Sequence, residues 1–368
     1  MLASAVATPQ RTETSPPWVA MLALALVAAI WAWLRISLNR EYGPASWQTL
    51  IELRAPLPFG HRVLVPALLR PLVDAGVSIP WAFGLSEWLA TITVVTLLRR
   101  VLADELPPRA ATLGAVLLLP VLTPALLLQH RWPIFYPWDA WAMVALLLGC
   151  HALRRGNTPL VFATVIVGAF NRESVVLLPL CAVALRLGRE PVRTTIARAV
   201  LLGFAYAGAR ALLPWLVPAA RGAPLHLWVE GQLRLWHNLA WLAVPANAAQ
   251  WCGSISVLPA AWWAVRRHVP ADLQRLQLPL LLGLAGLLVV ANAYEPRVYG
   301  ELMVLAWAVV WIGAWRWAHG DAEPAAAAPG SPAPWWLRAL DRWGALALLS
   351  LLTVTAALAW SLGYPARP

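Results

Sequence analysis

The chain has 368 residues, 60% of them hydrophobic and 12% charged, with a mean hydropathy of +0.65. Soluble domains carry roughly 25% charged residues, so an ordinary soluble fold is excluded and an all-α polytopic membrane protein is expected. The net charge of +11 rests on 28 basic residues, every one of them arginine. In so apolar a chain they read as topology anchors, not as a nucleic-acid surface.

Residues 1–17 are polar and read as a disordered tail. The run 18–36 is too long for a signal-peptide core and has no good cleavage site after it, so it is expected to stay as the first span. A span needs roughly 20 apolar residues. Further spans are expected at 79–98, 110–129, 133–153, 158–170, 174–186, 195–214, 241–264, 277–292, 299–317 and 343–361, about 10–11 transmembrane helices in all. The stretches 158–170 and 174–186 are short and read as a helical hairpin; the alternative is one span broken at Asn171. Residues 61–76 place Val63, Leu64, Ala67, Leu68, Pro71 and Leu72 on one face, the pattern of an amphipathic helix on the outer leaflet. Residues 319–342 form an Ala/Pro-rich cytoplasmic linker. Cys150, Cys181 and Cys252 lie in apolar stretches and read as small core residues. Many of the 24 tryptophans suit interfacial belts. No internal repeat and no soluble domain is visible.

The arginines set the orientation. Arg99, Arg100 and Arg109; Arg154 and Arg155; Arg186, Arg189, Arg193 and Arg198; and Arg266, Arg267 and Arg275 fall in alternate loops. Placing these loops inside puts the N-terminus in the cytoplasm and makes 158–186 cross twice, as a hairpin does. Loops 37–78, 130–138, 171–173, 215–240 and 293–298 then face outward.

The remaining polar residues collect at that outer end, where charge in or beside a bilayer is costly and marks a site. Glu41 follows the first span, and Glu52 lies further along the same loop. Either is a solvated loop charge or a general base able to take a proton from an acceptor hydroxyl. His61 and Arg62 open the amphipathic segment, as headgroup anchors or as phosphate ligands, a role that suits the planar guanidinium. Arg131, Tyr136 and Asp139 lie in HRWPIFYPWDAW, with Asp139 expected one turn inside its span. A salt bridge to Arg172 is the structural alternative there to sugar-hydroxyl binding. Asn171, Arg172 and Glu173 occupy the hairpin tip. Glu295, Arg297 and Glu301 open a late span, with Arg297 and Glu301 on one helix face.

With these residues in place, the chain resembles the GT-C class of integral-membrane glycosyltransferases, in particular small bacterial members without a soluble domain. The likeness rests on the first-loop acid (Glu41 or Glu52), the amphipathic segment FGHRVLVPALLR (59–70), the element YPWD ending at Asp139, the tip FNRES (170–174) and the charged YEPRVY (294–299). It implies a polyprenyl-phosphate-linked sugar as donor, an acceptor outside the cytoplasm, a bacterial inner membrane, and a catalytic base in the first loop. It also implies sugar or phosphate binding by His61, Arg62, Arg131, Tyr136, Asp139, Asn171, Arg172, Glu173, Glu295 and Arg297. Class members often carry paired acids in the first loop. Here Glu41 stands alone beside Arg40, so no metal site and no cofactor is expected. A transporter or flippase of a lipid-linked anion, or a non-catalytic scaffold, is the alternative.

Overall fold

The computed structural model describes residues 17–129, 133–187, 189–218, 221, 227–229 and 232–320. The expected tail at 1–17 (all but Pro17), the linker beyond Gly320, the expected span 343–361 and the candidate Arg131 lie outside them. The described chain is mostly helical, with one two-stranded antiparallel ladder, β1 (Trp228–Val229) with β2 (Gln232–Leu233), and a few isolated bridges in its loops. Its helices are α1 (Pro17–Leu38), α2 (Trp47–Ile51), α3 (Leu64–Asp74), α4 (Ile79–Ala103), α5 (Pro108–Leu126), α6 (Asp139–Arg155), α7 (Thr158–Ala169), α8 (Leu177–Arg186), α9 (Val192–Leu216), α10 (Arg234–Leu242), α11 (Pro245–Ser254), α12 (Leu258–Val265), α13 (Ala271–Gln274), α14 (Gln277–Val290) and α15 (Gly300–His319).

Among the described residues, six segments are long and apolar enough to cross a membrane: Met21–Leu38, Ile79–Ala103, Pro108–Leu126, Val192–Leu216, Ala271–Val290 and Pro296–His319. They make this a multi-pass membrane protein by length and composition. The last is the most enclosed, with 89% of its window buried, so α15 is the central helix on which α5, α6 and α12 pack.

The arginine-rich loops meet at one end of the bundle. Arg154 pairs with Glu105 (2.5 Å) and Asp272 (2.9 Å), Arg316 with Glu105 (2.6 Å), and Arg189 with Asp272 (2.8 Å). The expected hairpin is present. Arg186 at the end of α8 donates to Leu153 O at the end of α6 (3.4 Å), while the 171–172 tip contacts Trp138 and Asp139 at the start of α6. So α7 runs up and α8 runs back down. Reporter fusions after Arg155 and Arg193 are therefore expected to read on the same side of the membrane, and a fusion after Val217 on the other. Opposite readings for Arg155 and Arg193 would overturn the hairpin.

Three expectations need correction. The stretch 241–264 is not one helix. It breaks after Leu242 and again at Ser256 and Val257, both in the left-handed region (φ 54° and 48°); Pro245 and Pro259 lie in the first turns of α11 and α12, where a missing N–H leaves no helical bond unmade. The stretch 133–153 turns helical only at Asp139, which is therefore the first residue of α6 and not one turn inside it. A carboxylate there complements the helix dipole. The hairpin arms, short as expected, are 12 and 10 residues long, about 18 and 15 Å at 1.5 Å per residue, against a hydrocarbon core of roughly 30 Å. Finally, Cys252 is exposed, whereas Cys150 and Cys181 are buried. The amphipathic helix is present as α3. Val65, Pro66 and Leu69 pack inward, while Leu68 and Leu72 are exposed on the outward apolar face.

Helices α5 and α15 pack closely. Trp307 donates to Gly114 O (2.7 Å) and Trp311 to Ala110 O (2.9 Å). A Cβ on Gly114 would lie 2.3 Å from the Trp311 ring. Gly114→Ala is expected to destabilise the fold by roughly 1–3 kcal/mol through overpacking, measured by thermal unfolding of the purified protein in detergent.

Candidate functional site

At the end of the bundle opposite the arginine-rich loops, a continuous chain of buried charge ties five elements together. Arg35 on α1 donates from Nη1 to Glu87 on α4 (2.5 Å) and from Nη2 to Asp139 at the start of α6 (2.9 Å). Asp139 in turn accepts from Arg172 Nη1 at the hairpin tip (2.5 Å), and Arg172 Nε lies 2.8 Å from Glu301 in the first turn of α15. All five side chains are 5% exposed or less. Glu87 is eight residues into α4, about 12 Å below its start. Three carboxyls face two guanidiniums in this inner chain. Asn171 donates to Trp138 O (3.1 Å) and fixes the tip.

Local sequence explains the placement. Asn39 caps the carbonyls of Arg35, Leu126 and Leu127, and Gln129 bridges Asn39 to Ile134 O. These side chains satisfy carbonyls left open where α1 and α5 end. Gly168 lets the tip turn close: a Cβ there would meet Val175 at 2.7 Å.

The next residue carries the network outward. Glu173 accepts from Arg62 (3.2 Å) and from Arg210 of α9 (3.3 Å), and Arg210 also contacts His61 Nδ1 (2.8 Å) and donates to Ala169 O (3.1 Å). This outer group holds two guanidiniums to one carboxylate, so its balance is positive. Beside it Arg297 pairs with Glu295, and its guanidinium lies 4.0 Å from the ring centre of Tyr136. Arg297 is 4% exposed, and its Nε and Nη1 have no hydrogen-bond partner among the described residues. Glu295 also accepts from Asn292 (2.6 Å), which receives Arg234. Tyr136 stacks on Phe59 (5.4 Å) and Trp138 (4.8 Å), and the Arg62 guanidinium sits 5.2 Å over Trp138. The result is a buried stack of aromatic rings packed against guanidiniums, a chemistry that suits an anion attached to an apolar or sugar body.

The structure thus brings His61, Arg62, Tyr136, Asp139, Asn171, Arg172, Glu173, Glu295 and Arg297 into one region. It places Arg172 and Asp139 where each other's charge, together with Arg35 and Glu301, already occupies them. Three contributors were not singled out from sequence: Arg35, Glu87 and Arg210. The first-loop acids sit apart from the buried chain. Glu41 is exposed, and its Oε2 accepts from Trp47 N (2.9 Å). Its loop is fastened to the site wall: Arg40 N donates to Pro133 O (2.8 Å), Phe135 N donates to Arg40 O (2.9 Å), and Tyr42 packs on Phe59 (5.4 Å). Glu52 is held by Gln48 and Arg54, whose hydrogen bonds keep its carboxyl below the usual glutamate range. Its charge is therefore already spoken for locally, which makes it the poorer base.

Among the described residues no group of three or more His, Cys, Asp or Glu could hold a metal ion. Compared with known proteins, the chain matches no family model and no curated sequence.

Proposed function

We propose that the chain is a GT-C-like membrane glycosyltransferase that moves a sugar from a polyprenyl-phosphate carrier to an envelope acceptor on the non-cytoplasmic face of a bacterial inner membrane, with its N-terminus in the cytoplasm. The observation that carries this reading is the surplus guanidinium charge at the mouth of the buried chain. Arg62 and Arg210 share one carboxylate, and Arg297 keeps two buried donors without a hydrogen-bond partner among the described residues.

In this reading the acceptor hydroxyl oxygen attacks the anomeric carbon as the bond from that carbon to the phosphate oxygen breaks. Glu41 takes the hydroxyl proton. The bonding electrons leave with the lipid phosphate, whose growing charge Arg62, Arg210 and Arg297 offset. Arg172, already paired with two carboxylates, holds the tip in place and does not reach for phosphate. Asp139 holds it likewise. Tyr136, Asn171 and Glu295 are the candidate sugar contacts, and His61 orients Arg210.

The test is donor turnover by the full chain in proteoliposomes, read as release of free polyprenyl phosphate. Arg62→Ala and Arg210→Ala are each expected to weaken donor binding by roughly tenfold or more, the usual loss for a charge-assisted hydrogen bond. Donor binding that is unchanged in both variants would sink the phosphate assignment. A transporter of a lipid-linked anion gains support from one observation: the α-helical stretches are interrupted at 170–176, at 243–244 and at 255–257, as transporter helices often are. Movement of intact donor across the vesicle membrane without sugar release would favour it.

A further inference from the structure

An apolar groove of about 220 Å³ lies between α12 and α14 with α15 as its floor; one end reaches Tyr299 and Leu302, beside Glu301 of the charged site, and it runs away from that site. Trp262, Trp263, Leu281, Leu284 and Met303 line it, and Gln277 and Tyr299 are its polar wall residues. Trp263, Leu278 and Leu281 at this face are exposed, so the groove opens sideways, toward what is hydrocarbon in a membrane. The segment joining α12 to α14 closes one end, and this is the arginine-rich end of the bundle. It carries Arg266, Arg267 and Arg275. The Arg266 guanidinium lies 3.3 Å from the centre of the Trp263 ring and donates to Trp263 O (2.6 Å), so it rests on the groove wall itself. Arg267 is exposed. Arg275 donates to Leu187 O. The one carboxylate of this segment, Asp272, is taken by Arg154 and Arg189 and does not neutralise the other arginines.

An apolar slot at hydrocarbon depth, capped at headgroup level by guanidinium groups, matches one kind of molecule. We propose that this groove binds an anionic phospholipid, with an acyl chain between α12 and α14 and the headgroup phosphate on Arg266 and Arg267. Clusters of basic side chains beside membrane helices attract anionic headgroups at close range, and the planar guanidinium fits phosphate oxygens. A protein helix is the poorer occupant, because it would cover Trp263 and Leu281 but leave the two arginines without counter-charge. Immediately before the chain's own apolar run at 343–361, Arg338 and Arg342 outnumber Asp341, so the start of that run brings no surplus carboxylate to that end.

The experiment titrates the full chain, purified and stripped of lipid in detergent, with phosphatidylglycerol or phosphatidylcholine of identical acyl chains. Retention is read by native mass spectrometry, and stabilisation by the unfolding midpoint. Phosphatidylglycerol is expected to bind tighter. The double variant Arg266→Ala with Arg267→Ala should lose roughly thirtyfold in affinity for it and bind both lipids alike. Arg267→Glu, a change at an exposed side chain, should repeat the loss without disturbing the fold. Leu281→Trp, which fills the slot, should weaken both lipids. Equal binding of the two lipids by the wild type would overturn the proposal, as would full retention of phosphatidylglycerol by Arg267→Glu. A photo-crosslinker at position 281 that captured residues 343–361 or a second copy in place of lipid would overturn it too.

Discussion

Arg172→Ala is expected to lower stability by roughly 3–5 kcal/mol, the usual result of removing one member of a buried charge pair. The effect is large because Arg172 serves two carboxyls at once, Asp139 at 2.5 Å and Glu301 at 2.8 Å. Asp139 would keep Arg35, whereas Glu301, 2% exposed, would lose its guanidinium. Adding Glu301→Gln to Arg172→Ala removes the stranded charge and should recover part of the loss. Arg172→Lys keeps one positive charge but cannot reach two carboxyls with a planar fork, so it should fall between wild type and alanine. Thermal or urea unfolding in detergent ranks the four proteins. An Arg172→Ala protein as stable as wild type would show that the buried chain is not what fixes the hairpin tip.

That chain also shows how far the sequence could be read. Hydropathy located the long spans, because length and composition are local properties, and the alternating arginines located the hairpin. Asn171, Arg172 and Glu173 stood out because apolar residues flank them on both sides. Arg35 did not, since an arginine near the end of a span looks like a membrane anchor. Glu87 carried a readable signal: a lone carboxylate inside LSEWLAT, well within a span, is an intramembrane charge that marks a site. Its partner, 52 residues away on α1, could not be read, because pairing depends on how helices pack. Arg210 was hidden in the same way on a helix whose window is only 17% buried. The break inside 241–264 was signalled by Pro245, Gly253 and Pro259, but continuous hydropathy masked it. The 133–138 segment looked apolar enough to be helical; instead it is a wall of stacked rings whose backbone bonds to Arg40.

The prediction with the largest effect on activity concerns the lone acid after the first span. Glu41→Gln should fold normally, because the amide oxygen can still accept from Trp47 N, the contact that Glu41 Oε2 makes at 2.9 Å. Tyr42 on Phe59 and Arg40 on Pro133 and Phe135 also hold the loop in place and do not depend on the carboxylate. What glutamine cannot do is accept a proton. If Glu41 is the base, donor binding should be unchanged and transfer should fall by roughly 10²–10⁴-fold, the usual share of general-base catalysis. Glu52→Gln should do much less, because Gln48 and Arg54 already hold that carboxylate. Single-turnover transfer from a labelled polyprenyl-phosphate sugar separates binding from chemistry in both variants. An inactive Glu52→Gln beside an active Glu41→Gln would move the base to Glu52 and keep the transferase reading. Wild-type rates in both variants would remove the first loop from the chemistry. The positive rim of Arg62, Arg210 and Arg297 would then be better explained as the grip of a transporter on a lipid-linked anion.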